Sequence, residues 1–476
     1  MERRLFFLNG EWVDSAESFR VVDPGTGEPL AEVASVTRDQ VREALEHAGR
    51  AFGPWSSRTA LERAGYLLGI ARALEQRREE IARIITRENG KPLAQSRGEL
   101  EMSVDHFRWF AEEARRAYGR VVPHQAPGKR HLVLKHPIGV VGAIPPWNFP
   151  LVLAARKVAP ALAAGCPVIL RPARKTPLSA LELARCAEEA GLPPGVLQVI
   201  TGDSRMVVAE LLESPVCRKV SFTGSTAVGK ELLIASARTL TRLSLELGGH
   251  APVLVFADAE LGRAVAGTMV TKFRNTGQSC IAANRVFVQR ECYERFLAEF
   301  VAGARALKVG YGLEEGVEVG PVIGPEALEA ALEQIEDACR RGARLLCGGK
   351  PLERGGGSYL QPTVLADVPL DALCMREETF APVAPVCPFN TEQEVIARAN
   401  GSRYGLAAYA FTTDLNRAWR LGEALEAGTI GINDPVPSTS NCPFGGMKES
   451  GQGRELGSEG LDAFLETKHV SFGGLG

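Results

Sequence analysis

The sequence has no close pair of cysteines and no long apolar run. Its ten cysteines are spread so that no two are closer than eight residues, which excludes a CxxC zinc pair and a compact disulfide framework. We therefore expect reduced thiols, most of them small core residues, in a cytoplasmic protein. The most apolar stretch, 140–155, is interrupted by Pro145, Pro146, Asn148 and Pro150, so no transmembrane helix is predicted.

The sequence also lacks an excess of charge of either sign and an apolar leader. Lys and Arg number 55 against 57 Asp and Glu, for a net charge of −2, which gives no reason to expect nucleic acid or an acidic membrane as a partner. Only four apolar residues, 5–8, precede Asn9, too few for a signal-peptide core. At 476 residues with 45% apolar residues, the chain predicts at least two large globular domains.

From about residue 132, short β-rich runs alternate with helical runs, which predicts βαβ units and a parallel sheet covered on both faces. The predicted strands are Val140–Ile144, Val168–Leu170, Leu197–Ile200, Val220–Phe222 and Leu243–Leu247. The predicted helices between them are Leu151–Ala164, Ser179–Ala190, Met206–Leu212 and Ala227–Ala237. Glycines 165 and 191 are expected to end two of these helices, and Thr176 with Pro177 to begin another, the threonine as its capping oxygen.

A second α/β series begins after Gly249, with predicted strands Val253–Phe256 and Arg285–Val288 and predicted helices 260–273 and Tyr293–Ala306. Amphipathic helices over 37–52, 59–87 and 92–117 are expected to cover the first sheet. The segment Tyr118–Lys135 has two short apolar runs around a Pro-Gly turn and predicts a projecting hairpin. Such an arm needs a partner surface, so we expect a homodimer or homotetramer.

Residues 219–230, KVSFTGSTAVGK, read as a strand, a glycine-bounded turn and the start of a helix. This geometry points free backbone N–H groups and the positive helix end at an anion, usually a phosphate. The segment also fits most of the GxxxxGK loop of nucleotide triphosphatases, which is a competing interpretation. Position 231 is Glu, where such a loop needs Ser or Thr for Mg²⁺. A mere tight turn is the third possibility.

Three further residues are candidates for catalysis. Cys280 follows a Gly-containing polar turn near Lys272 and Arg274, surroundings that would favour a reactive, low-pKa thiol, although a buried structural cysteine is the alternative. Glu246 ends an apolar strand, where desolvation should raise its pKa towards that of a general base, unless it merely pairs or caps there. Asn148, within PWNFP at 146–150, could donate to an oxyanion or belong to a rigid packed turn.

Taken together, these segments resemble the aldehyde dehydrogenase superfamily over essentially the whole chain. The shared motifs are PWNFP at 146–150, FTGSTAVG at 222–229, LELGG at 245–249, GQSC at 277–280, EETFAPV at 377–383 and PFGG at 443–446. Longer runs, KFRNTGQSC, RKVAPALAAGC and GGMKESGQGRELG, are most similar to the succinate-semialdehyde dehydrogenase branch. The resemblance implies an α/β fold with a Rossmann-like cofactor domain, an α/β catalytic domain and a small oligomerisation arm.

The resemblance implies a division of labour at the site. Cys280 is expected to attack the aldehyde carbon, with the oxyanion held by the Asn148 amide and the Cys280 backbone N–H, and Glu246 to activate the water that hydrolyses the thioester. The cofactor, NAD or NADP, is expected to contact Ile144, Pro146, Trp147, Arg171, Arg174, Gly224, Ser225, Gly229, Leu247, Glu378 and Phe380. The carboxylate of the substrate is expected to contact Arg156, Arg274 and Ser438.

The resemblance also sets the expected domains and substrate. Residues 1–117 and 136–247 are expected to bind the cofactor, 248–443 to form the catalytic domain, and 118–135 with 444–476 to form the arm and a C-terminal segment. The expected substrate is succinate semialdehyde. The alternatives are glutarate or 2-oxoglutarate semialdehyde, or a broader range of aldehydes. A coenzyme-A-acylating enzyme is less consistent with Glu246, and a structural protein without activity is inconsistent with both Cys280 and Glu246.

Three departures from the family pattern bear on the cofactor and on regulation. Arg171 stands where Lys is usual and Arg174 where Glu is common, and with Lys175 they place three positive charges after a strand. A Glu there would accept a ribose 2′-hydroxyl, whereas Arg favours a 2′-phosphate, so NADP is the favoured cofactor. Residue 282 is Ala, which excludes a disulfide switch between Cys280 and a cysteine two residues later.

Overall fold

The computed structural model describes residues 2–474, so Met1, Leu475 and Gly476, at the ends of the predicted segments, lie outside the described residues. The strands are β1 (Glu2–Arg4), β2 (Phe6–Leu8), β3 (Glu11–Val13), β4 (Ser18–Val22), β5 (Pro29–Ala34), β6 (Arg120–Val122), β7 (Arg130–Pro137), β8 (Val140–Ile144), β9 (Val168–Leu170), β10 (Leu197–Val199), β11 (Cys217–Thr223), β12 (Arg242–Glu246), β13 (Ala251–Val255), β14 (Ala283–Gln289), β15 (Arg344–Cys347), β16 (Pro351–Leu352), β17 (Tyr359–Leu360), β18 (Thr363–Ala366), β19 (Val383–Phe389), β20 (Tyr404–Gly405), β21 (Ala407–Phe411), β22 (Thr429–Ile432), β23 (Met447–Lys448), β24 (Gly451–Gln452) and β25 (Leu465–Phe472).

The α-helices are α1 (Arg38–Ser56), α2 (Ala60–Gln76), α3 (Arg78–Asn89), α4 (Leu93–Glu113), α5 (Pro150–Ala164), α6 (Leu178–Glu189), α7 (Ser204–Glu213), α8 (Thr226–Ser236), α9 (Leu261–Phe273), α10 (Arg290–Ala306), α11 (Pro325–Arg340), α12 (Leu373–Arg376), α13 (Glu392–Asn400), α14 (Leu415–Ala424) and α15 (Gly457–Asp462). Two short 3₁₀ turns cover Ala114–Arg116 and Arg274–Gly277. In the described part of the chain, no helix is long and apolar enough to cross a membrane.

Two large sheets organise the molecule. The first has the order β24-β12-β11-β8-β9-β10-β2-β3, with β12 to β10 all parallel. The second has the order β15-β18-β19-β14-β13-β21-β22 and is parallel from β18 to β22. The parallel strands are almost continuously buried because helices cover both faces of each sheet. The predicted α/β class is confirmed.

The sequence analysis overlooked the N-terminal strands and one helix boundary. Strands β2 and β3 extend the first sheet in antiparallel fashion, while β1, β5 and β4 form a small separate sheet. The predicted helix over 59–87 is two helices, α2 and α3, because the backbone of Arg77 leaves the helical region with φ −98° and ψ 18°. Strands of three residues, as in β1 to β3, are too short to show a clear alternation of apolar and polar residues.

Two buried carboxylates cap the helices behind the site. Gly165 ends α5 in the left-handed conformation, as predicted. The prediction that Thr176 caps α6 is wrong, because its hydroxyl donates to the Trp147 carbonyl. The free N–H groups at the start of α6 are instead bound by Glu88, and Glu99 binds those of α5 in the same way.

The predicted hairpin is present as β6 and β7, which pair antiparallel. Strand β25 pairs along the other side of β7 over eight residues, so the arm is a three-stranded sheet. Just before β25, the short strand β24 pairs with β12 and completes the edge of the first sheet. The C-terminal segment therefore contributes both to the arm and to the sheet that carries Glu246.

Candidate active site

A cleft of about 210 Å³ opens between the two large sheets. Its residues are Pro146, Trp147, Asn148, Thr223, Gly224, Ser225, Leu247, Gly248, Cys280, Glu378 and Phe380. Those from the first sheet follow the carboxyl ends of β8, β11 and β12, which meet at one edge because the three strands are parallel. That edge is where open α/β sheets bind ligands. Cys280, Glu378 and Phe380 come from the other side of the cleft.

Cys280 is presented by a strained turn. Asn275 and Thr276 have positive φ, at 50° and 58°, which is unusual for residues with a Cβ, and Gly277 follows with φ 74°. Strain of this kind is typical of functional sites. The turn is held by hydrogen bonds from the Asn275 N–H to the Gln95 side chain at 2.7 Å and from the Thr276 hydroxyl to a backbone carbonyl at 3.2 Å. A Cβ at Gly249 would lie 2.1 Å from the Cys280 carbonyl oxygen, so the chain requires glycine there.

The prediction that Lys272 and Arg274 give Cys280 a low pKa is wrong. Burial, and then the negative charges of Glu246 and Glu378, raise the pKa of the Cys280 thiol to about 12, and the opposing cation is Arg156. Lys272 is fully buried and donates to the Asn284 side chain at 3.2 Å. The main cation that acts on the thiol is therefore Arg156, and not its sequence neighbours Lys272 and Arg274. The protein holds Cys280 as a thiol that needs a base.

Glu246 is a buried carboxyl group that acts on this thiol. It is buried at the end of β12, and its Oε1 has no hydrogen-bond partner within residues 2–474. Burial, followed by the charge of Glu455, raises its pKa well above the usual carboxyl value. Beside it, Lys157 forms a buried ion pair with Glu455 at 2.5 Å and donates to the Thr223 hydroxyl at 2.7 Å. The expected desolvation of Glu246 is confirmed.

Asn148 is buried on the turn before α5. Its side-chain amide donates to the Gln278 carbonyl at 3.1 Å, close to Cys280 in the chain. Its own backbone carbonyl accepts hydrogen bonds from Lys91 Nζ at 2.7 Å and Asn275 Nδ2 at 2.8 Å. The turn and the Cys280 loop are thus joined in both directions, and one amide hydrogen of Asn148 is left for another acceptor.

The backbone of the glycine-bounded turn, residues 224–229, does not make the contacts that the sequence predicts. The Gly224 N–H donates to the Glu246 carbonyl at 3.0 Å, so it is not free for an anion. Ser225 lines the cleft and caps α8 by accepting from the Val228 N–H at 3.4 Å. A Cβ at Gly229 would lie 2.5 Å from a methyl of Leu247, so glycine lets α8 pack against the chain after β12.

Glu378 and Phe380 form the opposite wall. Glu378 Oε1 accepts from the Gly249 N–H at 3.2 Å, and burial raises the pKa of this carboxyl to about 8. Phe380 has a left-handed backbone, with φ 48°, and its ring meets that of Trp147 edge to face at 5.4 Å. Both aromatic rings line the cleft, where a planar ring of a cofactor can pack.

The other predicted cofactor residues lie outside the cleft. Ile144 belongs to the apolar core beneath it. Arg171 is buried, its guanidinium donates to the Gly202 carbonyl at 2.8 Å, and burial lowers its pKa to about 10. Arg174 is exposed over the ring of Phe19, at 4.8 Å.

The three predicted substrate residues form a positively charged cluster. Arg156 Nη2 donates to the Ser438 hydroxyl at 3.1 Å, and its guanidinium lies 4.8 Å from the centre of the Phe444 ring. Arg274 packs over Phe149 at 5.4 Å, and its pKa is lowered mainly by burial and also by Arg156. Within residues 2–474, neither arginine forms an ion pair. One buried guanidinium, that of Arg156, and one partly buried guanidinium, that of Arg274, are suited to an anionic ligand when neither has a partner carboxylate.

The site thus combines a thiol, a buried carboxyl group with a raised pKa, an amide donor and a pair of cations. A family model described as "Aldehyde dehydrogenase family" matches residues 12–470. The chain belongs to the aldehyde dehydrogenase family. This aldehyde dehydrogenase is an oxidoreductase that uses NAD or NADP. The match leaves the nucleotide triphosphatase interpretation of residues 224–230 without support.

Individual relatives cover nearly the whole chain of this aldehyde dehydrogenase. It is 46% identical to the succinate-semialdehyde dehydrogenase [NADP(+)] of Escherichia coli over 99% of this chain and 98% of that protein. It is 44% identical to the glutarate-semialdehyde dehydrogenase of Pseudomonas putida, over 98% and 97% of the two chains. The crystal structure of an E. coli NADP-dependent enzyme superposes with a TM-score of 0.98 at 45% identity, covering 99% of this chain and 98% of that one.

The structure also brings residues to the site that sequence reasoning missed. They are Lys91, Glu99, Lys157, Asn275, Gln278 and Glu455. Each lies in a helix or loop pattern that reads as structural, and their distance along the chain hides their proximity. The one available signal is the presence of lysines and glutamates at positions that the helical periodicity of α4 and α5 assigns to the interior.

Proposed function

We propose that this aldehyde dehydrogenase oxidises an aldehyde that carries a carboxylate at its other end, with succinate semialdehyde as the first candidate. The observation that carries the proposal is the cluster of Arg156, Arg274 and Ser438, in which both guanidiniums lack a carboxylate partner in the described structure. The charge of Arg156 acts on both Cys280 and Glu246. An anion bound there would therefore lie near the reacting thiol.

In this proposal the chain's own residues carry out a sequence of proton and acyl transfers. Glu246 accepts the proton of Cys280, whose sulfur bonds to the aldehyde carbon while the C=O π electrons move to oxygen. The Asn148 amide and the Cys280 N–H hold the resulting oxyanion. The bound nicotinamide supplies a hydride acceptor. As the oxyanion re-forms its C=O bond, a hydride leaves the carbon for that acceptor and a thioester remains. Glu246 releases its first proton to solvent and then removes a proton from the water that attacks the thioester. The carboxylic acid is released and ionises, and the expelled Cys280 thiolate takes back the proton held by Glu246.

The cofactor assignment rests on the shape of the cleft. Pro146, Trp147, Gly224, Ser225 and Leu247 line it together with Glu378 and Phe380. A Cβ at Gly248 would lie 3.0 Å from Glu378 Oε2. Glycine at this position therefore lets the Glu378 carboxyl group come close to the opposite wall of the cleft. We propose that the pyrophosphate lies against Gly224, Ser225 and Gly229. Glu378 and Phe380 would hold the nicotinamide ribose and ring. The adenosine end would lie towards Ile144, Arg171 and Arg174, and NADP is the favoured cofactor.

The proposal extends to the architecture. Residues 1–117 and 136–247 would bind the cofactor, 248–443 would supply the catalytic half, and 118–135 with 444–476 would complete the arm and the C-terminal segment. The three-stranded arm would join two or four copies of the chain. All ten cysteines are free in the structure, which fits a reducing compartment such as the cytoplasm.

The test of the substrate compares succinate semialdehyde with butanal, which has the same carbon chain without the carboxylate. Arg156→Met and Arg274→Met remove one guanidinium each and keep an apolar stem. Each should lower kcat/KM for the semialdehyde by an amount that corresponds to about 2–5 kcal/mol of lost transition-state stabilisation, the usual effect of removing one partner from a desolvated charge pair. The value for butanal should change much less.

Arg263→Met is the matched control, since this arginine lies on the exposed side of α9, the helix that leads to Arg274. Equal kcat/KM for both aldehydes in the unmodified protein would contradict the carboxylate clamp and favour a broad aldehyde dehydrogenase. A higher kcat/KM for glutarate or 2-oxoglutarate semialdehyde would support the carboxylate clamp and show that the preferred substrate has a longer carbon chain.

A further inference from the structure

Behind the Asn148 turn lies a fully buried ion pair. Lys91 Nζ and Glu99 Oε2 are 2.5 Å apart, and neither side chain is exposed to solvent. Burial lowers the pKa of Lys91 to about 8, although Glu99 acts against this change. A buried pair contributes little to stability compared with apolar residues of the same volume. Its geometry therefore indicates a more specific use.

Both members of the pair hold the segment that carries Asn148. Lys91 donates to the Asn148 carbonyl at 2.7 Å and lies 3.9 Å from the centre of the Phe149 ring. Glu99 accepts from the N–H groups of Leu151 at 2.9 Å and Val152 at 3.3 Å. One pair thus fixes the turn and the first residues of α5 together.

Helix capping alone does not explain the lysine. Glu88 caps α6 with the same two-point geometry, at 2.7 Å and 3.0 Å, and no lysine or arginine of residues 2–474 forms a hydrogen bond with it. Burial raises the pKa of Glu88 to about 7. The comparison shows that a buried carboxylate can cap a helix here without an ion-pair partner, so Lys91 is present for its contact with Asn148.

The orientation of the Asn148 side chain depends on its backbone. Its Oδ1 has no hydrogen-bond partner in the described part of the chain, and its amide makes one bond, to Gln278. Few contacts therefore hold the amide directly. A displacement of the turn by a few tenths of an ångström would move the amide away from the oxygen that it is proposed to bind.

We infer that Lys91 and Glu99 are positioning residues that hold the Asn148 amide on the oxyanion of the reaction. This inference rests on the proposed role of Asn148. It predicts that loss of the Lys91 ammonium slows the first chemical step, in which the thiohemiacetal forms and hydride leaves, without weakening the binding of the aldehyde.

The experiment is a double-mutant cycle on the pre-steady-state hydride burst, with aldehyde and cofactor in excess over enzyme and cofactor reduction followed by absorbance. The four proteins are the unmodified chain, Lys91→Met, Asn148→Ala and the double variant. Lys91→Met should slow the hydride burst at least tenfold at saturating aldehyde. In the Asn148→Ala background the same change should slow it less than threefold, because a residue that acts through Asn148 has nothing left to position.

Two further variants separate positioning from folding. Glu88→Gln is the matched control, since it weakens a buried helix cap of the same geometry, and it should leave the burst rate within twofold. Lys91→Met with Glu99→Gln removes both charges and avoids an unpaired buried carboxylate. This variant should melt near the unmodified protein while keeping the slow burst.

The outcomes are distinct. If Lys91→Met slowed the burst equally in the unmodified protein and in Asn148→Ala, the positioning role would be overturned. An unchanged burst rate in a folded Lys91→Met variant would overturn it as well. A normal burst in Asn148→Ala would show instead that the oxyanion role itself is wrong.

Discussion

The charge of Glu246 acts on the thiol of Cys280. After burial, it is the largest cause that raises the pKa of this thiol, to about 12. Burial and Glu455 likewise raise the pKa of Glu246 well above its usual value. Because the pKa of both Cys280 and Glu246 is raised, the two groups together favour a state with a single negative charge. In the proposed mechanism, the thiol becomes a nucleophile when the carboxylate takes its proton.

Replacing these two residues should therefore give different defects. Cys280→Ser should abolish aldehyde oxidation, because a hydroxyl in this environment is a far weaker nucleophile. Glu246→Gln should retain a slow hydride burst of about one equivalent and then turn over at least a hundredfold more slowly, because the amide cannot activate water. The measurement is stopped-flow absorbance at 340 nm. Steady turnover by Cys280→Ser would refute the assignment.

Glu378→Gln should stabilise the protein in a pH-dependent manner. Burial raises the pKa of Glu378 in the folded protein to about 8, whereas in the unfolded chain it ionises near its ordinary value of about 4.3. As pH rises between these values, the unfolded state loses the proton first, and stability falls. The glutamine variant lacks this loss.

The difference in melting temperature between Glu378→Gln and the unmodified chain should grow from pH 5 to pH 8 and then level off. Thermal denaturation followed by circular dichroism measures it. Asp337→Asn serves as control, because hydrogen bonding, mainly from the Leu373 N–H, lowers the pKa of that carboxyl instead. A constant difference across the range would show that Glu378 is ionised when buried.

Arg174→Glu should change the choice of cofactor. Arg174 is exposed and rests on Phe19, so its guanidinium can turn towards a 2′-phosphate at a small energetic cost. Reversal of its charge should lower kcat/KM for NADP at least tenfold and leave the value for NAD within threefold. Arg290→Glu, at an exposed site where α10 begins, controls for net charge. A tenfold preference of the unmodified enzyme for NAD would contradict the argument.

Val121→Asp should dissociate the proposed oligomer. Val121 lies on the edge strand β6 of the arm and is 73% exposed, so a partner subunit that covers it would have to bury the new charge. Leu415→Asp provides a comparison, since Leu415 on α14 is 81% exposed. Size-exclusion chromatography with light scattering distinguishes the species. An unchanged mass for Val121→Asp would place the interface elsewhere.

Strongly patterned segments were predictable from the sequence, and spatial neighbours were not. The strand Val140–Ile144 and the glycine that ends α5 are where periodicity and capping place them. The electrostatic partner of Cys280 was misassigned, because sequence proximity suggested Lys272 and Arg274 whereas the fold supplies Arg156 from α5. Charges act through space, and the pairing of distant helices depends on packing that no local pattern encodes.

The same long-range pairing also governs the order in which the molecule can be completed. Strand β24 joins the edge of the first sheet next to β12, and β25 forms one side of the arm. Both arrive late on the ribosome, after the whole second α/β series has emerged. During synthesis, the edge of the first sheet beside Glu246 therefore stays uncovered, and the arm has only two strands, until residues 451–472 have been made.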